Sequence, residues 1–206
     1  MAAAVATTHR PIVEFALPAS GAARWAGRLG FAVAGALVLW ASAKISVPFY
    51  PVPMSLQTLA VMLIGGAYGW RLGLATVVLY LGSGMAGLPV FANTPPQIAS
   101  PLYLLGTTGG FLIGFAAATA FVGWFVERGA ARSALALFPV MLVGDAILFA
   151  LGFLWLAFFA QLSSGATGLG IEAAWNGGVM PFLLGDLFKV AVASLLIPAV
   201  GRLVQR

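Results

Sequence analysis

Two kinds of chemistry are excluded by what this chain lacks. None of its 206 residues is cysteine, and only His9 is histidine. A disulfide framework, an iron–sulfur cluster and thiolate catalysis are therefore excluded, and so is a metal site built on paired histidines. Charge is also scarce, because Asp, Glu, Lys and Arg make up 7% of the residues, against about 25% in soluble domains.

Apolar residues, by contrast, are abundant. They account for 62% of the chain, which indicates an all-α integral membrane protein surrounded by lipid. The length suits five to seven spans of about 20 residues each. The net charge of +5 does not indicate a nucleic-acid partner, because the basic residues are scattered singly at predicted helix ends.

Hydropathy and proline breaks predict six transmembrane helices in one bundle. Residues 1–28 are expected to form a cytoplasmic tail, either mobile or interfacial, and residues 29–206 the membrane domain. The predicted spans are 29–47, 54–69, 72–88, 104–126, 134–160 and 179–200.

The connections between these spans alternate in charge. One set carries the arginines, namely Arg24, Arg28, Arg71, Arg128, Arg132, Arg202 and Arg206, whereas connections 48–53, 89–103 and 161–178 contain no Lys or Arg. The positive-inside rule therefore places both termini in the cytoplasm. The long connections without Lys or Arg are expected to cover a cavity that opens outward. Lys44 lies near that side and is expected to snorkel to the outer interface.

Asp186 and Lys189 stand out in the last span, which is otherwise almost wholly apolar. Three residues apart on a helix, they share a face. Each charge alone at membrane depth costs about 2.5–3.5 kcal/mol, so the two form either a structural ion pair or a ligand site. Asp145, near mid-membrane in the fifth span, either pairs with Lys189 or packs as a protonated, hydrogen-bonded group.

Enzyme chemistry is not expected. Gly82-Ser83-Gly84 looks superficially like a nucleophile site, yet no histidine within the spans can serve as its base, which leaves only a serine–lysine pair open. The chain has no Gly-x-x-x-x-Gly-Lys-Ser/Thr loop, so energy must come from partners or from a gradient. A self-sufficient carrier coupled to protons through Asp145 or Asp186 is the alternative.

Four segments carry a family resemblance, in order and with similar spacing. They are 47–63 (VPFYPVPMSLQTLAVML), 81–92 (LGSGMAGLPVFA), 109–115 (GGFLIGF) and 185–189 (GDLFK). From about Ala32 to the C-terminus, the chain resembles BioY, the biotin-specific substrate-binding component of energy-coupling factor (ECF) transporters. One departure is the stretch 105–110 (LGTTGG), where Gly-Pro-Thr-Gly-Gly is expected.

The resemblance implies a six-helix bundle that binds one biotin near the extracellular face, under its outer loops, in a bacterial inner membrane. It implies no cofactor and no metal. Ala32 and Ala36 on the first helix would dock onto a transmembrane coupling subunit, and two cytoplasmic ATPase subunits would power the complex. The Ala32-x-x-x-Ala36 spacing matches close helix approach, although it is generic.

The resemblance also implies the ligand contacts. Asp186 would accept N–H bonds from the ureido head, and Lys189 would donate to an acceptor oxygen. Asn93 and Gln57 offer both donors and acceptors. Four aromatic residues are available to wall the ring system, namely Tyr50, Phe91, Tyr103 and Trp175.

Overall fold

The computed structural model describes residues 10–48, 50–94 and 100–204. Predictions that fall on residues 1–9, 95–99 and 205–206 lie outside the described residues. The helices are α1 (Gly21–Lys44), α2 (Gln57–Met85), α3 (Gly109–Val126), α4 (Ala134–Phe158), α5 (Ile171–Gly178) and α6 (Leu183–Val204). Strands β1 (Ser46–Val47) and β2 (Met54–Ser55) form an antiparallel hairpin between α1 and α2.

The all-α membrane class is confirmed. Five helical stretches are long and apolar enough to cross a membrane: Gly21–Lys44, Gln57–Met85, Gly109–Val126, Ala134–Phe158 and Ile171–Val204. Large apolar side chains point outward from them, with Leu135 90% exposed and Leu184 83% exposed. Such a surface is suited to lipid tails, which solvate apolar side chains.

The count of five differs from the predicted six because α2 joins the predicted second and third spans. The joined stretch is not straight, since Gly69 has φ 74° and ψ −179° in its middle. Gln57 and Tyr80 are 23 residues apart, yet their side chains are hydrogen-bonded at 2.9 Å. In a continuous helix they would be about 34 Å apart. The two halves of α2 therefore fold back on each other at Gly69.

The helices pack around α2 and α3. Helix α3 lies between α2 and α4, while α1 covers α2, and α6 contacts both α2 and α4. Gly114 lets α3 approach α4 closely, because a Cβ there would lie 2.9 Å from the backbone oxygen of Leu148. Small residues permit such contacts between membrane helices.

The arginines cluster at one end of this bundle. Glu14, in a 3-10 turn (Ile12–Phe15), bonds Arg24 and also Arg28, the latter at 2.8 Å. Arg10 and Arg202 line one groove there, so both ends of the described chain lie at the arginine end. The β hairpin, loop 86–94 and α5 lie at the other end.

Several boundaries differ from prediction, and α3 begins at Gly109 rather than at residue 104. Helix α1 begins at Gly21 rather than at residue 29, so it includes the last part of the predicted tail; the division at residue 28 into tail and domain stays a prediction. Helix α6 begins at Leu183 rather than at residue 179, because a 3-10 turn containing Pro181 precedes it. The predicted loop 161–178 contains the short helix α5.

The reversal at Gly69 can be tested with Gly69→Ala. We expect a loss of about 1–3 kcal/mol in the free energy of unfolding, because this φ/ψ region is almost restricted to glycine. An added Cβ would also lie 2.5 Å from Oε1 of Glu127 and 2.7 Å from Cγ of Pro11. Thermal unfolding of the purified protein in detergent measures the change.

Gly82→Ala is the matched control, since Gly82 lies in the same helical stretch and a Cβ there meets nothing within 4 Å. That variant should match or slightly exceed the wild type, because alanine is the better helix former. Equal stability of Gly69→Ala and Gly82→Ala would contradict the inference that the reversal requires glycine at position 69.

Candidate functional site

A cavity lies at the end of the bundle opposite the arginines. Its apolar wall includes six aromatic side chains: Phe91, Tyr103, Phe111, Phe115, Phe149 and Phe182. Its polar lining comes from Ser55, Gln57, Thr58, Thr108, Asp186 and Lys189.

The polar centre of the cavity is an ion pair. Nζ of Lys189 lies 2.6 Å from Oδ1 of Asp186, and it also donates to the backbone oxygen of Ser55 at 2.7 Å. The hydroxyl of Thr58 donates to the same Oδ1 at 2.9 Å. Both charged residues are nearly buried, at 2% exposure for Asp186 and 9% for Lys189. Pairing and hydrogen bonds offset the cost of burying these charges.

Two helix starts bring these groups together. Asp186 lies in the first turn of α6 and Thr58 in the first turn of α2. A carboxylate near a helix N-terminus is favoured by the helix dipole. Because α6 begins at Leu183 rather than at the predicted residue 179, Asp186 lies within one turn of the cavity end of its helix.

Gln57 is fixed by neighbours rather than free. Its Nε2 donates to the hydroxyl of Tyr80 at 2.9 Å, and its Oε1 accepts from the hydroxyl of Ser55 at 3.3 Å. The Tyr80 hydroxyl in turn donates to the backbone oxygen of Val90 at 3.1 Å. This chain of bonds orients the amide at the cavity wall and ties both halves of α2 to loop 86–94.

Loop 86–94 places Phe91 over the cavity. Its ring stacks on Tyr103 with centroids 4.6 Å apart and meets Tyr80 edge-on at 5.6 Å. Burial raises the pKa of Tyr103 above its ordinary value, so its phenol stays neutral.

Lys44 holds this loop in place. Its Nζ donates to the backbone oxygens of Phe91, at 2.7 Å, and of Thr94. Lys44 is exposed at the end of α1, and these two carbonyls accept from its ammonium group. That it snorkels to the outer interface stays a prediction. The residue also connects the end of α1 to the loop that carries Phe91.

Two of the four predicted aromatic residues, Phe91 and Tyr103, lie in the cavity wall, and two do not. Tyr50 is 78% exposed, because the next residues of the hairpin, Pro51 to Pro53, take the buried positions. Trp175 is 47% exposed and packs edge-on against Phe153 outside the cavity. It follows the buried Ala174 on α5, so its side chain points away from the bundle.

Asn93 and the alanine pair also differ from expectation. Asn93 is half-buried in loop 86–94, and its neighbours Phe91 and Ala92 line the cavity instead. Ala32 is only 6% exposed, and Ala36 packs against the core of the bundle. The Ala32/Ala36 face of α1 therefore points into the bundle rather than outward to a partner.

Asp145 follows neither of the two alternatives. Within the described residues Lys189 bonds Asp186, so it is not paired with Asp145. Asp145 is 7% exposed, and its Oδ1 has no hydrogen-bond partner among the described residues. It lies one helical turn from Leu148 and Phe149, which line the cavity.

Several cavity residues were missed from the sequence. Thr58 follows Gln57 directly and offered a signal, since a hydroxyl at a helix start near an ion pair is a natural donor. Phe111 and Phe115 are one turn apart in the 109–115 segment, and that spacing predicts a shared face. Phe149 and Phe182 gave no local signal, because apolar residues surround both.

Fold and site together define a multi-pass helical membrane protein with a buried polar centre walled by aromatic rings. The model of the BioY family matches residues 16–206, and the chain belongs to that family. The match begins earlier than the resemblance seen from about Ala32. The relatives are transporters rather than enzymes.

Individual relatives support this membership. A probable biotin transporter BioY of Pyrococcus horikoshii is 35% identical over 154 residues, which are 75% of this chain and 83% of the relative. The biotin transporter BioY of Rhodobacter capsulatus is 36% identical over 170 residues, covering 76% and 86% of the two chains.

The crystal structure of an S-component for biotin from an ECF-type ABC transporter has the same fold. It superposes with a TM-score of 0.72 at 20% identity, covering 91% of this chain and 96% of the other.

Replacing Lys44 by methionine should release loop 86–94. Charged hydrogen bonds contribute about 1.5–3 kcal/mol each, so hydrogen exchange at Thr94, whose N–H bonds the Phe91 oxygen at 3.2 Å, should quicken about tenfold or more. Exchange mass spectrometry on this segment measures the effect.

Arg128→Met is the control for Lys44→Met, because Arg128 also donates to a backbone oxygen, that of Trp124 at 3.0 Å, but at the arginine end. It should leave exchange in loop 86–94 unchanged. Unchanged exchange in Lys44→Met as well would show that Lys44 does not hold the loop.

Proposed function

We propose that this chain is the biotin-binding component of a biotin uptake transporter. The observation that carries the proposal is the Asp186–Lys189 pair, which lies in the lining of an aromatic cavity near one end of a membrane bundle. Buried charges at membrane depth that face a cavity are typical of substrate sites. Family membership and the printed names of the relatives support biotin as the ligand.

The cavity chemistry suits this ligand. A ureido head offers two N–H donors and one carbonyl acceptor, and the carboxylate of Asp186 can accept from the donors. Lys189 can donate to the carbonyl oxygen, as can the amide of Gln57. Phe91 and Tyr103 provide flat apolar surface for the thioether ring. Asn93 does not line the cavity, so in this proposal it contacts biotin only if loop 86–94 shifts on binding.

We further infer six crossings with both termini in the cytoplasm of a bacterial inner membrane. The reversal at Gly69 divides α2 into two halves of about 12 and 16 residues, which are short for spans but antiparallel. Because both ends of the described chain meet in one groove, the number of crossings is even. The arginines at that end then face the cytoplasm, and the biotin cavity lies toward the outside.

Energy comes from an ECF coupling module in this proposal. The chain has no phosphate-binding loop, so a transmembrane coupling subunit and two cytoplasmic ATPase subunits would power release inward. Helix α1 presents exposed small residues, Ala26, Gly30 and Ala34, at four-residue spacing, which suits close contact with a partner helix. Since Ala32 is buried, this face is the better docking surface.

Biotin binding to the purified protein tests the proposed site. Wild type should bind one biotin per chain in calorimetry, and both Asp186→Asn and Lys189→Met should weaken binding at least about tenfold through the lost charged hydrogen bonds. The absence of any binding by well-folded wild type would contradict the proposal.

Each single variant leaves one buried charge without its partner, which can cost about 3–5 kcal/mol of stability. The double variant Asp186→Asn/Lys189→Met removes both charges and should therefore fold better than either single variant. A stable double variant that still binds biotin at wild-type affinity would reduce the pair to a structural role.

Uptake experiments separate the proposed module from the alternative of a self-sufficient carrier, which the unpaired carboxyl of Asp145 favours. Co-expression with coupling and ATPase subunits should raise biotin uptake, and a protonophore should not abolish it at constant ATP. Uptake by the chain alone that collapses with the proton gradient, and that Asp145→Asn also abolishes, would favour the carrier.

A further inference from the structure

The arginine end of the bundle carries a second, open groove that the proposed function does not use. It lies between the N-terminal segment, the first half of α1 and the reversal of α2. Six charged residues line it: Arg10, Arg24, Arg28, Arg71, Glu14 and Glu127. Four positive charges thus face two negative ones.

The two carboxylates of the groove are already engaged. Glu14 bonds Arg24 and, at 2.8 Å, Arg28. Oε1 of Glu127 accepts the backbone N–H of Trp70 at 3.2 Å. Glu14 is thus paired with arginines, whereas Glu127 keeps its charge, so the four arginines and two glutamates leave the groove with a net charge of +2.

Arginine donors remain available to a bound anion. The Arg28 side chain lines the groove and is 37% exposed, and among the described residues its only hydrogen bond is from Nη2 to Glu14. Arg71 is exposed, and its guanidinium lies 5.0 Å from the centre of the Trp70 ring. A planar guanidinium suits a phosphate, because it can donate two parallel bonds to the phosphate oxygens.

The wall of the groove is apolar and strongly exposed. Trp25 is 72% exposed, Leu29 64% and Phe15 45%. On α1 the groove extends from Arg24 to Ala32, about 12 Å along the helix axis. A cationic rim above an apolar wall of this length matches a lipid, whose head group is charged and whose chains are apolar. Trp25 suits this depth, since tryptophan is enriched at membrane interfaces.

From this arrangement we propose that the groove binds an anionic phospholipid. Its phosphate lies between Arg28 and Arg71, and the first carbons of its acyl chains lie against Leu29 and Leu72. Basic pockets beside membrane helices bind anionic head groups in this way. In the topology proposed above, this end of the bundle lies in the inner leaflet. The lipid site itself does not depend on that topology.

Lipid retention by the purified full chain tests this site. Native mass spectrometry after exchange into detergent should show more retained phosphatidylglycerol than phosphatidylcholine. Arg71→Gln should lower phosphatidylglycerol retention about fivefold, the effect expected of one arginine near an anionic head group, while Arg71→Lys should keep most of it. Biotin binding should be unchanged in both variants, which separates this proposal from the proposed function.

Arg128→Gln is the matched control, since it removes one charge from the same end of the bundle but lies outside the groove. It should retain phosphatidylglycerol as the wild type does. Equal retention of the two lipids, or equal loss in Arg128→Gln and Arg71→Gln, would overturn the proposal. Displacement of the lipid by inorganic phosphate would also overturn it, because a free anion would then be the occupant.

Discussion

The ion pair of Asp186 and Lys189 lies at the start of α6 and bonds to residues at the start of α2, and the polar wall of the cavity depends on it. Lys189 reaches from α6 to the backbone oxygen of Ser55, and Thr58 reaches from α2 to the carboxylate. Without a partner, either charge would be costly at this depth. The pair therefore holds α2 and α6 in register and at the same time keeps polar groups at the cavity wall.

Three connections lie at the cavity end of the bundle, and each is anchored to a different helix. Loop 86–94 is held by Lys44 at the end of α1. The β hairpin is tied to the start of α3, because the hydroxyl of Thr107 donates to the oxygen of Pro51 at 3.0 Å. Helix α5 packs on α4. A site bordered by separately anchored segments can open by moving one of them while the bundle stays intact.

The bundle has two chemically different ends. At one end, carboxylates and carbonyls hold lysines, and the result is an enclosed site with aromatic walls. At the other, arginines exceed glutamates around an open groove. In the proposed topology, this polarity orients the protein in the membrane, and the proposed ligand capture and lipid contacts lie at opposite faces.

The sequence by itself determined the class, the alternation of the arginines and the importance of Asp186 and Lys189. These conclusions follow from the composition and from the free-energy cost of placing a charge in lipid. That cost applies to a charged residue whatever its neighbours in the fold are. Tertiary structure alone decided that Lys44 holds a loop, that Ala32 is buried, and that Tyr50 and Trp175 miss the cavity. It also decided that Phe149 and Phe182 line it. The direction of a side chain and the residues it contacts depend on how each helix is rotated and where it begins. No local sequence pattern encodes the rotation or the start of a helix.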